Sequence, residues 1–104
     1  MIAELRVMSR DLSNPEPEKK YPIYFIPTYV MKQVEDIRHE YSQKEIESYT
    51  QLQELDPIFN KVIRTMFPTI SDDELDRITL ENKIEVFNAF GDVYQGKVAE
   101  TAKN

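Results

Sequence analysis

Four carboxylates fall within five positions, Asp72, Asp73, Glu74 and Asp76, just after the pair Phe67-Pro68. Such a run suggests two kinds of chemistry, binding of a divalent cation or acid/base catalysis by paired carboxylates. A calcium loop needs oxygens at alternate positions, a glycine at its sharp turn and a distal glutamate. Asp72, Glu74 and Asp76 do alternate, but the stretch has no glycine, and Leu75 and Ile78 stand at helical spacing. Ser71 and Glu74 have the form of a capping box, and Asp72 and Asp73 fall in the first turn, where the helix dipole favours negative charge. Arg77 is placed to pair with Asp73 one turn on. The run therefore reads as the start of a helix. Acid/base work would need burial in a cleft that drives two carboxyl pKa values apart, and a surface helix start supplies none.

His39 is the only histidine, set between Arg38 and Glu40. No neighbouring nucleophile or orienting carboxylate marks it for catalysis, so it reads as a solvent-facing side chain. With one histidine and no cysteine, a closed zinc site would need nearly all its ligands to be carboxylates, which zinc rarely accepts. The expectation is a protein with no catalytic residue, no cofactor-binding residue and no metal ligand, and not an enzyme.

Composition narrows the classes further. A chain of 104 residues with 40% hydrophobic and 31% charged side chains makes one soluble domain with one modest core. The net charge is −6, from 19 acids and 13 bases. Nucleic acid is an unsuitable partner for such a surface, because phosphate binding depends on clustered lysine and arginine. The glycines, Gly91 and Gly96, cannot build a phosphate-cradling loop. No apolar run approaches the roughly 18–20 residues of a membrane span, and residues 1–12 lack a signal-peptide core. A cytoplasmic protein with no membrane partner is expected.

The elements that would carry these residues follow from periodicity. IAELRVM (2–8) alternates, with Ala3, Leu5 and Val7 on one face, as in a half-buried strand. Residues 9–20 are polar, with two prolines, and read as a loop; YPIYFIP (21–27) reads as a second strand, with Pro22 at its start or on an edge. Thr28 can cap a helix whose stripe is Val30, Val34, Ile37 and Tyr41. Ser42 to Glu45 has capping-box form, and a helix running on towards residue 49, straight or slightly kinked, is favoured over a break. Asp56-Pro57 is a start signal for a helix bearing Phe59, Val62, Ile63, Met66 and Phe67. Ser71 opens a short acidic helix. Thr79 opens the last one, with Leu80, Ile84, Phe87, Phe90 or Gly91, and Tyr94 on one side and Gly96 as its C-cap. The sum is an α+β fold, mainly α: an N-terminal β-hairpin followed by three to four helices. One domain is expected over 1–96, hairpin about 2–27 and helical part about 28–95, with a flexible tail at 97–104.

Apolar residues outnumber the positions this core requires. Residues 21–26 are apolar on both faces, Tyr21, Ile23 and Phe25 on one and Tyr24 and Ile26 on the other. Tyr29 and Met31 flank the buried stripe of the first helix, and Val86 and Val93 flank that of the last. One reading is a wide core stripe plus scattered exposed apolar residues, which singly need no explanation. The other is a contiguous patch for a protein partner, formed by Tyr24, Ile26, Tyr29, Met31, Val86 and Val93.

The order of features resembles the small tail assembly chaperones of long-tailed phages, especially those of Gram-positive hosts. The resemblance is carried by the strand-to-helix junction YFIPTYVMKQVEDI (24–37), the helix DPIFNKVIRTMF (56–67), the acidic TISDDELDRI (69–78) and the apolar LENKIEVFNAFGDVY (80–94). It covers most of residues 1–96 and consists of residue class and spacing; Pro57 and the two-proline hairpin loop depart from it. It implies a protein of the host cytoplasm that is absent from the finished particle. Such a protein binds and solubilises the tape measure protein and recruits tail tube subunits, and a homo-oligomer is compatible with it. The family often also makes a longer product by ribosomal frameshifting, and Ala102-Lys103-Asn104 is compatible with codons containing a slippery heptamer, GCA AAA AAC. The alternatives are a structural virion component (a tail completion or connector protein) and an acidic regulatory binding module. Against the latter, the acids are interspersed with bases. A small hydrolase is disfavoured by the lack of a nucleophile–base signal.

Overall fold

A computed structural model describes residues 1–41 and 49–93. It has the α+β, mainly α architecture: an antiparallel hairpin followed by four helices. Strand β1 is Ala3–Met8 and strand β2 is Pro17–Ile23. Their register sets Ala3 against Ile23, Leu5 against Tyr21 and Val7 against Lys19, with an irregularity between Val7 and Met8. Leu5, Val7 and Ile23 point into the core, as the two-residue period of a pleated strand requires.

The second strand differs from the sequence expectation at both ends. It begins at Pro17, within the stretch read as loop, and ends at Ile23 rather than continuing to Pro27. Pairing explains both limits. β1 starts at Ala3, the partner of Ile23, so residues 24–27 find no strand to bond with. At the other end Val7 and Met8 need partners, and the polar stretch with Lys19 supplies them. The remaining tip is closed by local bonds: Asp11 Oδ1 accepts from the Ser13 amide at 3.0 Å and the Ser13 hydroxyl at 2.7 Å, and Asn14 Oδ1 accepts from the Glu16 amide.

Helix α1 is Thr28–Tyr41 and buries Val30 and Val34, with Ile37 packed against the core. Its first turn is closed one residue earlier than expected, since the Pro27 carbonyl accepts from Val30 and Met31. Helix α2 is Tyr49–Met66. Asp56-Pro57 is therefore not its start, because the helix passes through both residues. A proline in a helix interior removes a donor and costs about 3 kcal/mol. Burial of Leu55 before it, worth roughly 1.5–3 kcal/mol, and of Phe59 after it offsets that loss. Asp56 is not a cap either; its carboxylate accepts from Lys83 Nζ at 2.7 Å. The expected run of helix through 42–48, the cap at Gly96 and the tail at 97–104 lie outside the described residues.

Helix α3, Asp72–Arg77, carries the expected capping box: the Glu74 amide donates to Ser71 Oγ at 3.1 Å, and the Ser71 amide donates to Glu74 Oε1 at 3.2 Å. Helix α4, Leu80–Asp92, starts at the expected cap, with Thr79 Oγ1 accepting from the Asn82 amide. Its deepest face is rotated from the apolar stripe. Asn82, Lys83, Val86, Phe90 and Gly91 are buried, whereas Leu80, Ile84 and Phe87 are half-buried. Asn82 turns inward because β1 gives it two bonds: its Nδ2 donates to the Glu4 carbonyl at 3.1 Å, and its Oδ1 accepts from the Arg6 amide at 2.8 Å. The core joins the inner hairpin face to one side of each helix, with Val30, Val62, Val86 and Phe90 among its members. Ile70 and Ile78, on either side of α3, close it from below, and Ile78 forms an isolated bridge with Val7.

Candidate interaction surface

Three of the four carboxylates of the acidic run, Asp72, Asp73 and Glu74, are paired with cations of the chain itself. Asp72 meets Arg64, and Asp73 meets Arg10 and, at 3.1 Å, Arg77. Glu74 Oε2 accepts from the Tyr21 hydroxyl at 2.7 Å and lies 3.3 Å from Lys19 Nζ. The Tyr21 bond, the Ser71 amide and Lys19 hold the Glu74 carboxyl down at about 2, against the opposing pull of burial. Asp73 is also lowered, chiefly by Arg10, and Arg77 is raised, chiefly by Glu18. Arg77 also donates to the Met8 carbonyl at 3.0 Å and to Glu18 at 2.7 Å, so the acidic helix is tied to the hairpin at both ends of its charge pattern. The run is a helix start joined to a sheet. Among the described residues no group of three or more histidine, cysteine or carboxylate side chains is arranged to hold a metal ion. His39 is exposed, as its sequence position suggested.

The apolar surplus comes to the surface where β2 passes into α1. Tyr24, Phe25 and Tyr29 are 68%, 74% and 61% exposed. The local geometry explains this. Ile23 ends the strand pointing inward, so Tyr24 points outward, and Ile26 returns to pack against the core. Tyr29 precedes the fully buried Val30 on α1 and is turned about a quarter of a circle from it. Strand alternation places Phe25 on the face of Tyr21 and Ile23, but the strand ends before it and the period no longer applies. The other residues named as a patch behave differently. Met31, Ile26 and Val93 are half-buried. Val86 is a correction: at 3% exposure it belongs to the core and offers no surface, because the rotation of α4 around Asn82 brings it inward.

Neither a protein-family model, nor a curated protein, nor a solved structure matches this chain. The functional reading therefore rests on the surface itself. Among the described residues no helix is long and apolar enough to cross a membrane.

Two further features escape a reading based on apolar spacing. The Lys83 ammonium is buried between α4 and α2, where it pairs with Asp56. A groove of about 460 Å³ runs between α2 and α3, lined by Pro57, Asn60, Lys61, Arg64, Thr65, Asp72, Leu75 and Asp76. Its walls carry both signs of charge and few apolar groups, so it is less suited to an apolar partner than the aromatic corner. For Lys83 the only signal in the sequence was its helical phase, seven residues before Phe90 on the inward face.

Proposed function

We propose that this protein is a phage tail assembly chaperone without enzymatic activity. Its role is to bind and solubilise the tape measure protein and recruit tail tube subunits in the host cytoplasm. The observation that carries this reading is the corner of Tyr24, Phe25 and Tyr29, three large aromatics within six residues that the fold leaves in solvent. Exposed apolar groups that join into one patch mark a surface for a partner. Tyrosine suits a surface that meets apolar helix faces and also spends time in water. The net charge of −6 supports the reading, since it keeps the complex of chaperone and client soluble. The resemblance in element order gives the client its identity, and helix-face recognition is the physical mode it uses.

Co-expression with a tape measure protein tests the proposal. The client is expected in the soluble fraction with this chain and in the pellet without it. Equal insolubility in both cases refutes the chaperone reading. Recovery of the chain from purified particles would instead make it a virion component.

A further inference from the structure

Incompletely satisfied polar chemistry gathers at one level of α2. Pro57 lies inside the helix Tyr49–Met66, so the Gln53 carbonyl lacks the donor that a helix would bring to it. Next to it, Asp56 is tied across to α4 by Lys83, whose side chain is 3% exposed against 37% for Asp56, at 2.7 Å. Asn60 reaches Asp56 through Nδ2 at only 3.4 Å, and its Oδ1 is buried without a partner among the described residues. Beyond this level α2 is anchored: Val62 and Ile63 belong to the core cluster and Met66 packs against it.

We propose that Lys83 and Asp56 form a latch on a lever. The part of α2 from Asn60 onward is fixed in the core. The turns before Pro57 are held to α4 by the ion pair, and its release lets them swing outward about the proline. The swing carries the buried Leu55 away from the fixed, tilted ring pair of Phe59 and Phe87, whose centroids lie 5.2 Å apart. A buried ammonium whose partner is removed is strongly disfavoured, so the latch is two-state: paired and closed, or solvated and open. What the opened surface receives, an apolar helix of the client, rests on the chaperone reading; the opening itself does not.

Hydrogen exchange on the intact chain without client tests the latch. K83M is expected to speed exchange of the amides of residues 53–56 roughly tenfold and to leave those of 62–66 within about twofold. P57A returns a donor to the Gln53 carbonyl and is expected to slow the amides of 53–56 more than those of 62–66. It also serves as the test should K83M fail to fold. Equal effects on both segments, or none in either variant, overturn the latch. A latch that passes this test in a protein that does not hold a tape measure client would refute the chaperone reading alone.

Discussion

At the start of α3 one carboxylate takes up donors from two places: the Tyr21 hydroxyl and the Lys19 ammonium on β2, and the amide and hydroxyl of its own cap, Ser71. Tyr21 is itself packed on Phe67 at 5.0 Å between ring centroids, and Lys19 Nζ stands 4.7 Å above its ring. Glu74 thus joins hairpin and helix through groups that are already positioned. Its carboxyl, ordinarily near 4.5, titrates at about 2 in the folded chain. Between those values the unfolded chain binds more protons than the folded one, so the contribution is complete above about 4.5 and is lost as pH falls towards 2. E74Q removes that titration. Its melting temperature is expected to lie below that of the parent at pH 7 and to fall less steeply between pH 4.5 and 2, as followed by circular dichroism. An equally steep fall in the variant would place the acid sensitivity elsewhere, with Asp73 the next group to examine.

Among the elements, the starts of α3 and α4 were the most legible. Ser71 and Thr79 cap where their residue types and the spacing of the following residues indicate, because a cap is decided by a handful of adjacent atoms. Removing one should have a correspondingly local cost: S71A is expected to lower stability by about 1 kcal/mol in a urea melt, and a loss near zero would mean that the Glu74 half of the box suffices. Asp56-Pro57 carried the same local signal and was misleading. Lys83, 27 positions away, claims the carboxylate, and buried Leu55 extends the helix past the proline. The limits of β2 were likewise set by the strand opposite, not by its own composition. Asn82 and Lys83 were invisible to a pattern of apolar residues, since each is buried by a specific partner on another element. Of the candidate surface, Tyr24 and Tyr29 were legible from their place beside buried neighbours. Phe25 was not, because its exposure depends on where the strand ends.

For the molecule as a whole, the aromatic corner and the acidic balance are separable from the fold. Tyr24, Phe25 and Tyr29 contribute little to the core, so the triple variant Y24S/F25S/Y29S is expected to keep its stability within about 0.5 kcal/mol per site. On the proposed chaperone role, it is expected to leave a tape measure client in the pellet, as judged by co-sedimentation. A variant that unfolds would show the corner to be structural, and one that still holds the client would move the binding surface elsewhere. The hairpin beside this corner also has a bearing on self-assembly. A two-stranded sheet has two open flanks, and each could template an added strand from another chain. Here the Asn82 amide occupies the Glu4 carbonyl and the Arg6 N–H on one flank, with Ile78 bridging Val7 beyond them. On the other flank Pro22, opposite Glu4, has no N–H to offer. The fold thus leaves aromatic side chains in solvent beside a hairpin whose flanks offer a poor template for an added strand.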